Sequence, residues 1–147
     1  HLLELNGDKM VHWLAMGVAA QSVYVPFYPQ GTKVPSSYKY GKETYTTNSA
    51  YWVFKLASTL VDRDWSKYGT ALGNAQTEAR NQVMQIRAQY DQKLAKEKAQ
   101  DKHIDLINKA NEKMAKTATD IFRKLSAKLI TEQTGDSPLR FKMDPNL

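Results

Sequence analysis

Positions 10–28 read MVHWLAMGVAAQSVYVPFY. From Met10 to Met16 the run is apolar almost throughout, with His12 the exception. A second run, Ser22 to Tyr28, adds Val23, Tyr24, Val25, Phe27 and Tyr28. A strand with one wet face alternates apolar and polar side chains, so continuous apolarity predicts strands covered on both faces, as in a layered sandwich. Upstream, Leu2, Leu3 and Leu5 lead into Asn6-Gly7, a pair that favours a turn needing positive φ, in a loop that can extend through Asp8-Lys9. Three strands within residues 1–28 cannot supply that cover for one another. The region calls for partners from beyond these residues.

Working outward, residues 29–48 change texture to Pro29, Gly31, Pro35 and Gly41 among Ser, Thr and Lys, which predicts a long ordered loop. A connection of that length is usually functional or mobile. Tyr38, Tyr40 and Tyr45 either anchor it to the body of the protein or line a pocket. Residues 49–134 then read as about three helices. Asn48 or Ser49 can cap the first, in which Val53, Leu56, Ala57, Leu60 and Val61 recur at helical spacing and Trp52 and Phe54 widen the apolar arc. Asp62-Arg63-Asp64 marks its end. A second helix runs from Trp65 or Thr70 to Lys98, carrying Val83, Ile86, Tyr90 and Leu94, with Gly69 and Gly73 weakening its start. A third carries Ile104, Ile107, Met114, Ala118, Ile121, Leu125 and Leu129. Between them Ala95 to His103 is the turn of a helical hairpin, with Asp101 as the next cap, or the exposed middle of one long helix. The hairpin is the expectation. Gly135 suits a C′ position, Pro138 blocks simple continuation, and residues 135–147 read as an extended tail.

The 147 residues suffice for one domain with a real core. A hydrophobic fraction of 41% and a charged fraction of 24% are those of a globular protein, and no run approaches the roughly 20 apolar residues that cross a bilayer. There is no cysteine, so disulfides, thiolate metal sites and a cysteine nucleophile are excluded within these residues. The net charge of +6 is local in origin: from Arg80 to Lys128 twelve Lys or Arg face six Asp or Glu. Such an excess can attract anionic partners, but these cations are interleaved with Asp91, Glu97, Asp105, Glu112 and Asp120, and aromatics for base stacking are scarce. Lys109 with Glu112, and Glu112 with Lys116, are spaced for weak surface pairing. A solvated helical face is expected, with neither nucleic-acid nor membrane binding.

No complete site is legible. His1, His12 and His103 stand in no metal-ligand spacing, His12 reads as a core or edge residue of its strand, and His103 as exposed. Gly69 and Gly73 lack the Gly-Lys-Ser/Thr of a phosphate loop, and none of the eight serines sits in a Gly-x-Ser-x-Gly elbow. Asp62 and Asp64 are explained by capping. No metal, cofactor or catalytic residue is expected among these positions.

Resemblance carries the reading further. His12-Trp13-Leu14-Ala15-Met16-Gly17, then Ser22-Val23-Tyr24-Val25-Pro26-Phe27-Tyr28, then Asn48-Ser49-Ala50-Tyr51-Trp52-Val53-Phe54-Lys55-Leu56, resemble the late part of the dipeptidase-A-type cysteine dipeptidases of lactic acid bacteria. A tail containing Phe141 and Met143 agrees. The resemblance implies an α+β fold: N-terminal antiparallel strands, part of an incomplete αββα sandwich of the N-terminal-nucleophile hydrolases, followed by the helices. It implies a dipeptide substrate, a cysteine nucleophile upstream of this chain, the missing N-terminal portion of the same protein as partner, a homo-oligomer and a cytoplasmic bacterial setting. No catalytic residue carries over. Related acylases place an arginine on the helix at Ser49–Leu60, where this sequence has Tyr51 and Trp52. Ser22, Tyr24, Tyr28 and Asn48 are candidates for the wall of the substrate cleft, with packing and capping as their alternative roles. The alternative for the whole chain is a basic helical module for binding or oligomerisation, without catalysis.

Overall fold

A computed structural model describes residues 2–6 and 9–137. Strands β1 (Leu2–Asn6), β2 (Lys9–Leu14) and β3 (Val25–Phe27) form an antiparallel sheet in that order. A four-residue helix α1 (Ser36–Lys39) follows, then α2 (Ala50–Asp62), α3 (Trp65–Lys96) and α4 (Gln100–Gly135). The arrangement is the expected α+β one. The Gly7-Asp8 turn, Phe141, Met143 and most of the proposed tail lie outside the described residues.

The hairpin alternative holds: α3 stops at Lys96, only Glu97 to Ala99 are non-helical, and α4 starts at Gln100. At 32 and 36 residues the two helices are about 48 and 54 Å long. They run antiparallel, since Lys67 near the start of α3 pairs with Asp136 just past the end of α4. Tyr68, Leu72, Ala75, Ala79, Val83, Ile86 and Tyr90 step at four or three residues along α3 and are all buried. Ile107, Ala110, Met114, Ala118, Phe122, Leu125 and Leu129 do the same on α4. Val53, Phe54, Ala57 and Val61 of α2 complete the core, with the Phe54 and Phe122 rings meeting edge to face at 4.7 Å. Glycines 69 and 73 do not delay α3, because Asp64 caps it from outside, accepting from the Lys67 amide at 3.1 Å.

Several expectations need correction. Ser22–Tyr28 is not one strand. Ala19–Gln21 is a 3₁₀ turn, and Gln76 of α3 donates its amide to the carbonyls of Ala20 and Ser22, drawing this backbone to the helix instead of a ladder. Ser49 occupies the N-cap position of α2, but its hydroxyl donates to the Tyr40 carbonyl at 2.7 Å and caps nothing. Helix α4 includes Gly135, one residue beyond expectation. The surface pairs also differ: Lys109 pairs with Asp105 and Lys116 with Asp120, because Glu112 turns inward to Ser36.

The sheet is covered unevenly, fully at β3 and poorly at β1. The register aligns Glu4 with Val11, and Trp13 with Leu2 and Pro26; on this face Val11 is 2% exposed but Leu2 57%. The opposite face carries the row Leu3, His12 and Phe27; there Leu3 is 51% and Met10 38% exposed, whereas Val25 is fully buried and Phe27 half-buried. His12 is an exposed residue of the middle strand, not a core one.

Candidate functional site

The segment after β3 is held to the helices by side chains from far along the chain. Asn111 of α4 accepts from the Tyr28 amide at 2.9 Å and donates to the Tyr28 carbonyl at 3.0 Å, as a neighbouring strand would. One turn back, Asn108 accepts from the amides of Thr32 (2.9 Å) and Lys33 (3.1 Å) and donates to the Thr32 hydroxyl. Glu112 accepts from the Ser36 amide and hydroxyl at 2.9 and 2.6 Å, satisfying an orphan donor at the start of α1. Further along, Arg123 donates to the Thr47 carbonyl. The loop of residues 29–48 is therefore tied along much of its length to one helix. Gly31 suits the close approach there: a Cβ would stand 3.0 Å from polar atoms of both Asn108 and Asn111, so those side chains would have to give way.

Tyr28, a candidate for the cleft wall, has its phenol committed. It donates to Asp91 at 2.6 Å, and burial, then the Asp91 hydrogen bond, push its pKa up. Asp91 lies beside Arg87, whose guanidinium forms two 3.0 Å bonds to Glu4 of β1 and sits 5.5 Å over the Trp13 ring. Trp13 donates to the same carboxylate at 2.8 Å. Hydrogen bonds from Arg87 and then Trp13 hold the Glu4 carboxyl below its ordinary value. Five residues thus tie β1, β2 and the end of β3 to α3.

The other candidates do not gather around Tyr28. Ser22 and Tyr24 line a separate cavity of about 310 Å³ with Trp13 and Arg80, where the Ser22 hydroxyl is buried without a partner among the described residues. Asn48 is exposed at the foot of α2, its amide donating to the Thr46 hydroxyl. Tyr28 instead borders a cavity of about 300 Å³ under residues 29–38, lined also by the half-buried Leu14, Met16 and Phe27. Of the three loop tyrosines, Tyr38 is the one that packs inward, edge to face with Phe27 at 5.0 Å, while Tyr40 and Tyr45 are exposed. Its hydroxyl is buried and unpartnered among the described residues, and burial raises its pKa, keeping it a proton donor. Among the described residues no three His, Asp or Glu side chains converge as a metal site would need, and no helix is long and apolar enough to cross a membrane.

Sequence reasoning missed Arg87, Asp91, Asn108, Asn111 and Glu112. One signal was present. Asn111 falls between Ile107 and Met114 in the apolar stripe of α4, and a polar residue at such a position needs a buried partner.

The geometry of the described residues singles out no reacting group, so likeness to known proteins becomes the guide. The model of peptidase family C69 matches residues 5–78, the sheet, the pinned loop, α2 and the start of α3. A protein of Latilactobacillus sakei named as a probable dipeptidase is 26% identical over 139 residues, 95% of this chain and 29% of its own length. Dipeptidase A of Lactobacillus helveticus is 25% identical over 151 residues, 97% of this chain and 31% of its own. The chain thus spans about three tenths of the length of these relatives. The family match takes in half of the chain, including the stretches whose resemblance was read from the sequence, and the chain belongs to peptidase family C69.

Proposed function

We propose that this chain is the C-terminal part of a longer dipeptidase whose nucleophile lies outside these residues. The observation that carries the reading is the similarity to two dipeptidases along 95% and 97% of the chain. The absence of cysteine from the sequence and the exposed Leu2, Leu3 and Met10 of the sheet support it, because both fit structure supplied from elsewhere in the same polypeptide.

On this reading a cysteine at the mature N-terminus attacks the dipeptide carbonyl carbon, and its own α-amino group takes the thiol proton. Collapse of the tetrahedral adduct breaks the C–N bond, and that proton leaves with the amine of the C-terminal amino acid. Water then hydrolyses the thioester, releasing the other amino acid and restoring the thiol. No cofactor enters. The role of the present chain is to support the sheet and shape the cleft.

The partners proposed are the dipeptide, the remaining polypeptide and a second copy of the assembled protein, in the bacterial cytoplasm. Assaying the full-length protein against dipeptides, alongside the Cys→Ala variant of its N-terminal residue, tests the mechanism. Hydrolysis that vanishes in the variant supports it. Dipeptide hydrolysis by residues 1–147 alone, or a cysteine variant of undiminished activity, would overturn it.

A further inference from the structure

We infer that the sheet continues at the outer edge of β1, and that a strand of the polypeptide preceding residue 1 occupies this edge. The inference rests on the dipeptidase reading, which makes these residues the C-terminal part of a longer chain, and it names the surface on which the rest docks. In an antiparallel sheet the backbone groups of successive residues point to alternate sides. Pro26 of β3 has no N–H to give to β2, and Tyr28, two residues on, turns both its N–H and its C=O to Asn111. Val25 and Phe27 therefore face β2, and their partners Leu14 and His12 face β3. Val11 and Trp13 are left to bond Glu4 and Leu2, so the N–H and C=O of Leu3 and Leu5 point away from the sheet. No described residue bonds them.

The two edges of the sheet are finished in different ways. That of β3 is closed, by a proline that cannot donate and by the Asn111 side chain standing where a neighbouring strand would. That of β1 has neither device. Its one charged side chain, Glu4, is spent on Arg87 and Trp13. Its leucines are exposed on opposite faces, Leu2 at 57% and Leu3 at 51%. An edge without proline or free charge, flanked by apolar side chains, is a template for another strand. Outward donors and acceptors two residues apart fit an extended chain, and the leucines fit apolar neighbours on both of its faces. The source follows from length. The matched part is 29% and 31% of the two relatives, so most of such a polypeptide lies outside these residues.

Hydrogen exchange on the full-length protein, resolved to single amides, tests the inference. It needs no assay of hydrolysis, so a failed dipeptidase assay leaves its result standing. The Leu3 and Leu5 amides are expected to exchange at least about 100-fold more slowly than in an unstructured chain, as the Glu4 amide does, and equally so at every protein concentration. Either amide exchanging at the unstructured rate would overturn the inference. Protection lost on dilution would assign the edge to a second copy and overturn it as well. In a crystal structure of the full-length protein, a strand from before residue 1 should run about 4.8 Å from β1. A helix, a loop or a second copy in that place would refute the assignment.

Discussion

Along α4 the residues from Ile107 to Leu129 are buried turn after turn against α2 and α3, whereas on the sheet Leu3 and Met10 stand open a strand's thickness from Val11. Both regions carry apolar side chains at the spacing of their element, yet only the helix buries all of this row within the chain. The difference is one of geometry. A helical stripe needs a single facing partner, and the hairpin returns one after a three-residue break. A sheet has two faces along its whole width, and here the cover falls off from β3, where Val25 is fully buried, toward β1, where Leu2 and Leu3 are 57% and 51% exposed. The lesson concerns where cover resides: the helices bury their stripes within the chain, and the outer part of the sheet does not.

The largest effect should come from the closed region. Phe122→Ala removes a fully buried ring from contact with Phe54 and should cost about 3–5 kcal/mol in denaturant unfolding. A loss below about 1 kcal/mol would mean that the helical core is not close-packed. At the border between the regions, Asn111→Ala leaves the buried amide and carbonyl of Tyr28 unpaired, and about 2 kcal/mol is expected. Faster exchange of the Tyr28 amide, with the α3 amides unchanged, would localise that effect to the end of β3.

The smallest effect should come from acid. A carboxylate whose pKa is lowered by folding stabilises the fold above its ordinary value, 4.5 for Glu4, and gives that up as pH falls through the lowered value. As pH falls below that ordinary value and through the lowered one, the link from β1 to Arg87 should therefore weaken while the helices persist. Glu4→Gln should remove this pH dependence of β1 exchange, and an unchanged acid profile in the variant would contradict the assignment. Because the pair is partly exposed, its worth is about 1 kcal/mol or less.

Much of the helical region could be read before folding was considered. Val83, Ile86, Tyr90 and Leu94 repeat at 3.6-residue spacing, and that period is local. The run Met10 to Met16 likewise announced a strand, which ends at Leu14 with Val11 buried and His12 exposed. What escaped the reading depends on distance along the chain: Arg87 reaches Glu4, Asn111 reaches Tyr28 and Asn108 reaches Thr32 across 76 to 83 residues. Ser22 and Tyr24 read as strand because they stand in the nearly continuous apolar run from Ser22 to Tyr28, whereas Gln76 holds the backbone at Ser22 to α3. Of the four candidate cleft residues, Tyr28 is the one that borders the loop cavity, and it does so with its hydroxyl already spent on Asp91. Tyr38 was correctly suspected as either an anchor or a pocket residue, and it is both.

Hydrogen exchange on residues 1–147 alone and within the full-length protein tests the contrast most directly. The account predicts β1 and β2 amides that exchange far more slowly in the full-length protein, with α3 and α4 protected to the same degree in both. Equal protection of the strands in the two samples would contradict it, since the outer part of the sheet would then need no cover.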